Sequence, residues 1–142
     1  MVYFKRLVGL ACLLLLSEIM LVACHFTVSR HKNPIFTDPT GIYLQLDSIL
    51  PGGKVVFQGE ETKSSDQSPH STLTISIFIA NSITPGQQRA EIADRIAKKV
   101  WKGLLRPGQF DDYTIAFVSK EKNGVVTNTV SESYVVHPSS FK

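Results

Sequence analysis

The sequence predicts an α+β domain in two layers, a mixed and mostly antiparallel sheet with one helix packed on one face, in the chain order β-β-β-α-β-β. Five segments alternate apolar and polar residues, and one longer segment repeats its apolar residues at helical spacing. The chain has 142 residues, of which 43% are hydrophobic and 19% charged. This size and composition suit one compact domain and exclude a disordered chain or a multidomain assembly.

The first two strands are predicted as a hairpin over residues 41–58. Ile42, Leu44 and Leu46 alternate with their neighbours at the period of two that is typical of a half-buried strand. A Pro-Gly-Gly turn then leads into KVVFQ, which resumes the strand pattern. Residues 59–71 are rich in serine and carry acidic side chains, so we expect a mobile polar loop there.

The third strand and the helix after it carry the strongest patterns. Thr72–Asn81 alternates apolar and hydroxyl residues and becomes apolar on both faces toward its end, which predicts a central strand. Thr84-Pro85 supplies an N-cap hydroxyl and a proline at the first helical position, and Pro107-Gly108 ends the helix. The apolar residues of this helix gather on one side, with Trp101 expected at the edge of the core: Ala90, Ala93, Ile96, Ala97, Val100, Trp101 and Leu104.

Two further strands follow, Tyr113–Ser119 and Val125–Val136, joined by a hairpin turn at Asn123-Gly124. The helix is long enough to run back along the third strand, so the third and fourth strands are predicted to be parallel. One helix cannot cover five strands, and we expect a partner or ligand to bind the uncovered face or the open edge of the sheet. Near the C-terminus, Tyr134–His137 either extends an edge strand for a partner or completes the sheet.

The N-terminal segment is predicted to be a secretory signal. Lys5 and Arg6 form a basic start, and Leu7 to Leu16 is an apolar run of the length that such signals use. A transmembrane helix is the alternative, but it needs about 20 apolar residues. Ser17 and Glu18 interrupt the run, and a carboxylate near the bilayer centre is costly.

The run ends in Leu21-Val22-Ala23-Cys24, which resembles the lipobox of bacterial lipoproteins. The resemblance implies that residues 1–23 are removed and that the sulfur of Cys24 carries a lipid whose acyl chains, such as palmitate, hold the protein at a membrane. It also implies a place in the bacterial cell envelope, facing the periplasm or the exterior. His25 follows the cysteine where aspartate commonly signals inner-membrane retention, so the outer membrane is favoured in a cell that has two membranes. The alternative is an unmodified cysteine beside an ordinary cleavage site.

Cleavage before Cys24 leaves 119 residues, with 13 basic and 11 acidic side chains. This even balance argues against a nucleic-acid partner. Because Cys12 is removed and Cys24 is acylated, the mature chain has no free thiol for a disulfide, a metal site or a nucleophile. We expect a flexible spacer over 24–39, where prolines and polar residues follow no period, and a single domain over 40–142.

The sequence carries no convergent catalytic or metal-binding set, and we predict neither enzymatic activity nor a cofactor. The four histidines fall in the expected spacer, loop and tail without metal-ligand spacing, and no G-x-S-x-G elbow occurs. Glu60-Glu61 and Asp111-Asp112 are adjacent pairs, and neighbouring residues on an extended chain point to opposite sides, so neither pair forms a carboxylate site.

One cluster of charged residues lies on a single side of the predicted helix. Five cations fall within about a third of a turn on the side of the helix opposite its apolar stripe, and we call them the basic face: Arg95, Lys98, Lys99, Lys102 and Arg106. One interpretation is a solvated surface in which Glu91 pairs with Arg95, and Asp94 with Lys98. The other is contact with anionic lipid headgroups.

We therefore expect a membrane-anchored envelope lipoprotein whose small domain binds another protein or supports an assembly. The alternative hypothesis is a carrier or sensor that binds a small apolar ligand between helix and sheet.

Overall fold

A computed structural model describes residues 26–79, 86–123 and 126–141. They form an α+β fold with five strands and two α-helices: β1 (Thr27–His31), α1 (Pro39–Ile49), β2 (Lys54–Ser64), β3 (His70–Ile79), α2 (Gly86–Gly103), β4 (Asp112–Asn123) and β5 (Val126–Val136). Two short 3-10 helices cover Pro107–Gln109 and Pro138–Phe141. The lipobox-like Leu21-Val22-Ala23-Cys24 and the residues expected to cap α2 lie outside the described residues.

The five strands lie side by side in the order β1-β2-β3-β4-β5, so β1 and β5 are the two edges of an open sheet. Every neighbouring pair is antiparallel except β3 and β4, which are parallel. The predicted mixed, mostly antiparallel sheet is thus confirmed, and so is the parallel pairing of the third and fourth predicted strands.

The core lies between the helices and one face of the sheet. Alternate residues of the central strands are buried there, among them Leu73, Ile75 and Ile115, each fully shielded from solvent. From α2, Ile96 and Val100 pack against them. Burying an aliphatic side chain of this size contributes about 1.5–3 kcal/mol. These contacts hold the sheet and both helices together as two layers.

The strand predicted over Ile42 to Leu46 is wrong, because these residues belong to α1. The Asp38 carboxylate caps the helix by accepting a hydrogen bond from the Gly41 N–H at 2.9 Å, and Pro39 occupies the first turn. Ile42 and Leu46, one turn apart, are buried, whereas Leu44 is 68% exposed. The apparent period of two came from an apolar residue that faces solvent. The sheet therefore carries two helices on one face, not one.

The mobile loop predicted over residues 59–71 is also wrong. β2 continues to Ser64 and β3 begins at His70, so only the five residues between them form the turn. Gly59 lies at a close approach in this region, because a Cβ there would stand 1.9 Å from the Lys32 carbonyl oxygen. Two polar residues of β2 contact β1: Glu61 forms an ion pair with Arg30, and the Thr62 hydroxyl lies 3.3 Å from that of Ser29.

The stretch predicted to be a flexible spacer, 24–39, contains β1 and the first residue of α1. β1 pairs with β2 from Thr27 opposite Ser64, and the Lys32 N–H extends the contact by donating to the Gly59 carbonyl at 2.9 Å. Phe36 then forms an isolated bridge with Leu104. The folded domain therefore begins close to the expected lipid attachment point.

The second half of the chain follows the prediction closely. α2 spans Gly86–Gly103, β4 extends the predicted Tyr113–Ser119 to twelve residues, and β5 covers Val126–Val136 of the predicted Val125–Val136. The glycine of the predicted hairpin turn lies outside the described residues. Trp101 is half-buried at the edge of the core, where its ring centroid lies 5.7 Å from that of Phe141. This confirms its predicted anchoring position.

Candidate functional site

The face of the sheet that points away from both helices is uncovered by any described helix, and we call it the open face. It carries mainly small polar side chains, such as Thr74 and Ser76 of β3 and Thr114 of β4, all half-buried by their neighbours in the sheet. Larger apolar residues stand at its margins, where Phe78 is 41% and Val135 60% exposed. This confirms that the helices leave one face of the sheet free.

β5 is the longer of the two sheet edges. In the described part of the chain no strand pairs with its outer side, although it is eleven residues long. Its sequence, VTNTVSESYVV, contains no lysine, arginine or proline. Thr129, Ser131, Ser133 and Val135 are exposed on its open-face side. An edge of this length and composition leaves a row of backbone donors and acceptors available to an added strand.

The single charged residue of β5, Glu132, is directed toward the helix side. It pairs across the sheet with the buried Phe117, and its Oε2 lies 2.5 Å from Nη1 of Arg89 on α2. The Tyr134 hydroxyl donates to its other oxygen. That hydrogen bond, followed by the contact with Arg89, lowers the pKa of Glu132. The same hydrogen bond, followed by burial, raises the pKa of Tyr134. The Glu132 carboxylate therefore binds Arg89 and Tyr134 of the same chain and does not prevent another strand from pairing with β5.

The opposite edge, β1, is short and charged. Arg30 forms an ion pair with Glu61, and Nζ of Lys32 lies 3.2 Å from the same carboxylate. The Lys32 ammonium, followed by Arg30, lowers the pKa of Glu61. Lys32 also lies 5.5 Å from the ring centroid of Phe110, within cation–π distance. The adjacent pair Glu60-Glu61 splits as predicted, since only Glu61 turns toward this network.

The contact between Lys32 and Ser71 resembles the nucleophile and base of a serine–lysine dyad, but its chemistry differs. Nζ of Lys32 donates to Oγ of Ser71 at 2.8 Å. A catalytic lysine must instead be neutral and accept the hydroxyl proton. Nζ of Lys32 also lies 3.2 Å from the Glu61 carboxylate, and Ser71 is only 5% exposed. The pair fixes the end of β1 on the sheet.

A cluster of His70, Asp112 and His137 was not found from the sequence. Nε2 of His70 lies 2.9 Å from one oxygen of Asp112, and Nδ1 of His137 contacts the other. The sheet register brings the three together, since β3 and β4 align Thr72 with Asp112. Because the two rings bind separate oxygens, they do not converge on one point. Within the described ranges, no three His, Cys, Asp or Glu residues are placed to hold a metal ion.

Four residues of the basic face, Arg95, Lys98, Lys99 and Lys102, are exposed on the side of α2 opposite the buried Ala97 and Val100. The predicted helical position of Arg106 is wrong, because α2 ends at Gly103 and Arg106 is an exposed residue with extended backbone beyond it. The helical pairs of Glu91 with Arg95 and of Asp94 with Lys98 are not formed. None of the five cations makes an ion pair anywhere in the described residues. These charges are therefore available to an external anion.

The space between the helices and the sheet, where the carrier hypothesis places a ligand, is occupied by the core side chains. Ala93, Ala97 and Val100 of α2 face Ile115 and Tyr113 of β4, and all five are 0% exposed. Burial raises the pKa of the Tyr113 hydroxyl, which lies 3.3 Å from the Pro107 carbonyl oxygen. This packing does not favour the carrier.

Among the described residues, no helix is both long and apolar enough to cross a membrane. No protein-family model, no curated protein and no solved structure matches the chain.

Proposed function

We propose that this chain is an envelope lipoprotein whose non-enzymatic domain binds another protein through the open edge of its sheet. One observation carries the proposal: β5 presents eleven residues of edge strand without the lysines, prolines or shortness that normally prevent strand addition. Natural sheets rarely leave such an edge free unless something covers it.

The partner contributes an extended segment that pairs with β5. In this mode of recognition, backbone hydrogen bonds provide most of the affinity, and side-chain contacts on alternate residues provide specificity. The exposed Thr129, Ser131 and Ser133 suit small or hydroxyl side chains, and the 60% exposed Val135 offers an apolar contact at one end. The domain thereby acts as a docking module that joins its partner to the membrane.

The lipid anchor in this proposal rests on the lipobox-like Leu21-Val22-Ala23-Cys24. Because β1 begins at Thr27, three residues beyond Cys24, an extended tether spans only about 10 Å. The domain is consequently held against the membrane surface, and His25 favours the outer membrane in a cell with two membranes. Mass spectrometry of the purified protein tests the anchor. The proposal requires a chain that begins at an acylated Cys24, and an unmodified chain beginning at Met1 would refute it.

A photo-crosslinker at Ser131 of β5 tests the partner, with a matched crosslinker at Ser29 of β1. Both residues are exposed and lie on edge strands. In membranes of the producing cell, we expect one reproducible adduct from Ser131 and none from Ser29. Adding Thr129→Lys and Ser133→Lys should abolish that adduct, because edge charges block strand pairing. Adducts of equal yield from both edges, or none from Ser131, would contradict the proposal.

A further inference from the structure

Two large apolar side chains are exposed together next to the basic face. Ile35 is 57% and Leu105 58% exposed, and the Leu105 N–H donates to the Ile35 carbonyl at 2.8 Å, so the two residues are neighbours. Both line one surface depression together with Arg106. Leu105 directly precedes Arg106 and lies three residues after Lys102, both of which belong to the basic face.

The topology places this pair at the end of the domain where β1 begins. β3 and β4 are parallel, so α2, which connects them, runs back toward the end at which both strands begin. β1 starts at the same end, since Thr27 pairs with Ser64, the last residue of β2. The first described residue, Phe26, is 68% exposed there. Exposed apolar residues and unpaired cations thus share the end from which the N-terminal segment leaves.

We infer that this end is a membrane-docking surface, on which the basic face binds anionic headgroups while Leu105 and Ile35 enter the interface. Apolar residues flanked by cations are the pattern of proteins that lie on a bilayer, because apolar burial and attraction to anionic lipid add together. The five cations have no ion pair within the described residues and so lose no internal partner on docking. Because the open face lies on the side of the sheet opposite α2, it is directed away from the membrane in a docked domain.

This inference depends neither on the protein partner nor on acylation of Cys24, since it concerns how the domain sits once the chain is at a membrane. A fluorophore attached through Leu105→Cys reports the docking. A second one attached through Ser133→Cys, on the open-face side of β5, is the positional control. The full-length protein is reconstituted into vesicles of phosphatidylcholine alone, or of phosphatidylcholine and phosphatidylglycerol in equal parts, with a nitroxide-labelled lipid as quencher.

We expect quenching at position 105 in the anionic vesicles only, and none at position 133 in either. Lys98→Glu, Lys99→Glu and Lys102→Glu together should remove the quenching. The matched control, Lys54→Glu, Lys63→Glu and Lys120→Glu, makes the same change in net charge on exposed residues of the sheet and should leave it intact. The emission of Trp101, the only tryptophan, verifies folding in each variant.

Either of two results would overturn the inference. One is a probe at position 105 that stays unquenched on anionic vesicles. The other is quenching that is equal in both vesicle types and survives reversal of Lys98, Lys99 and Lys102. Failure of the crosslinking at Ser131 would refute the partner proposal and leave this inference standing.

Discussion

The two edges of the sheet differ in every property that governs strand addition. β1 has five residues and β5 has eleven. The chain places Arg30 and Lys32 at the first edge, both bound to Glu61, and Pro34 soon after. At the second edge, the only charge is turned inward. Short strands, basic residues and proline protect natural sheets from unwanted pairing.

This contrast shows that the features that prevent strand pairing are present at β1 and missing from β5. The chain protects one edge and leaves the other open, although protecting β5 would take only one or two lysines on its exposed side. Within a single domain, β1 therefore serves as an internal control for β5. Each of the following changes acts on one edge while the other provides the comparison.

The largest expected effect is on β1. Gly59→Ala places a Cβ 1.9 Å from the Lys32 carbonyl oxygen and 2.8 Å from Cε1 of Phe110. Neither the backbone nor the ring can yield without moving the end of β1, so we expect a loss of about 3 kcal/mol in the free energy of unfolding. Urea unfolding followed by Trp101 emission measures it. Gly108→Ala, where no atom lies within 4 Å, is the control and should change stability by less than about 0.5 kcal/mol. Equal stability of the two variants would show that β1 is loosely held.

A smaller effect is expected from acid. The pKa of Glu61 lies below its ordinary value of 4.5 in the folded state, chiefly because of Lys32, so its stabilising contribution is complete above pH 4.5. As the pH falls further, the unfolded chain takes up the proton first, and the contribution is lost as the pH passes through the lowered folded value. Melting temperatures recorded from neutral pH down to about pH 3 should fall less steeply for Glu61→Gln than for the wild type.

Glu132→Gln provides the comparison at the other edge, because the pKa of Glu132 is also lowered, by Tyr134 first and Arg89 second. Glu132→Gln should also make the melting temperature fall less steeply as the pH decreases. Hydrogen exchange at neutral pH separates the two variants, since Glu61→Gln should loosen β1 there and Glu132→Gln should not. The ion pairs of β1 would have no stabilising role if Glu61→Gln left the acid slope unchanged.

The smallest effect on stability comes from charging the open edge. Thr129→Lys with Ser133→Lys alters two exposed positions, and we expect the free energy of unfolding to change by less than about 1 kcal/mol. The same pair should nevertheless abolish the Ser131 adduct. Gln58→Lys, exposed on the open face but in β2, controls for added charge and should preserve the adduct. If Gln58→Lys also abolished the adduct, the partner would bind the open face and not the edge of β5.

Much of the fold was predictable where one face of an element is consistently apolar. β3 and α2 show this, and their patterns gave the correct element types and the parallel pairing of β3 with β4. The α1 prediction failed because Leu44, an exposed apolar residue, completes a strand-like period with the buried Ile42 and Leu46. The true signal of α1 was the Asp38-Pro39 start, which supplies both an N-cap and a first-turn proline.

The edges were predictable only in part. The composition of β5 is visible in the sequence, but its position at the edge depends on the pairing of all five strands. β1 was hidden because its five residues are all exposed and have no apolar period. The cluster of His70, Asp112 and His137 depends on sheet register between distant segments, for which spacing along the chain carries no signal.

Hydrogen exchange of the full-length protein, compared between its native membrane and detergent-purified samples, tests the central claim most directly. Exchange rates report whether backbone amides are covered. The account predicts that peptides from Val126–Val136 exchange more slowly in the native membrane than after purification, while peptides from Thr27–His31 exchange at the same rate in both. Unchanged exchange in β5, or slower exchange in β1 alone, would contradict it.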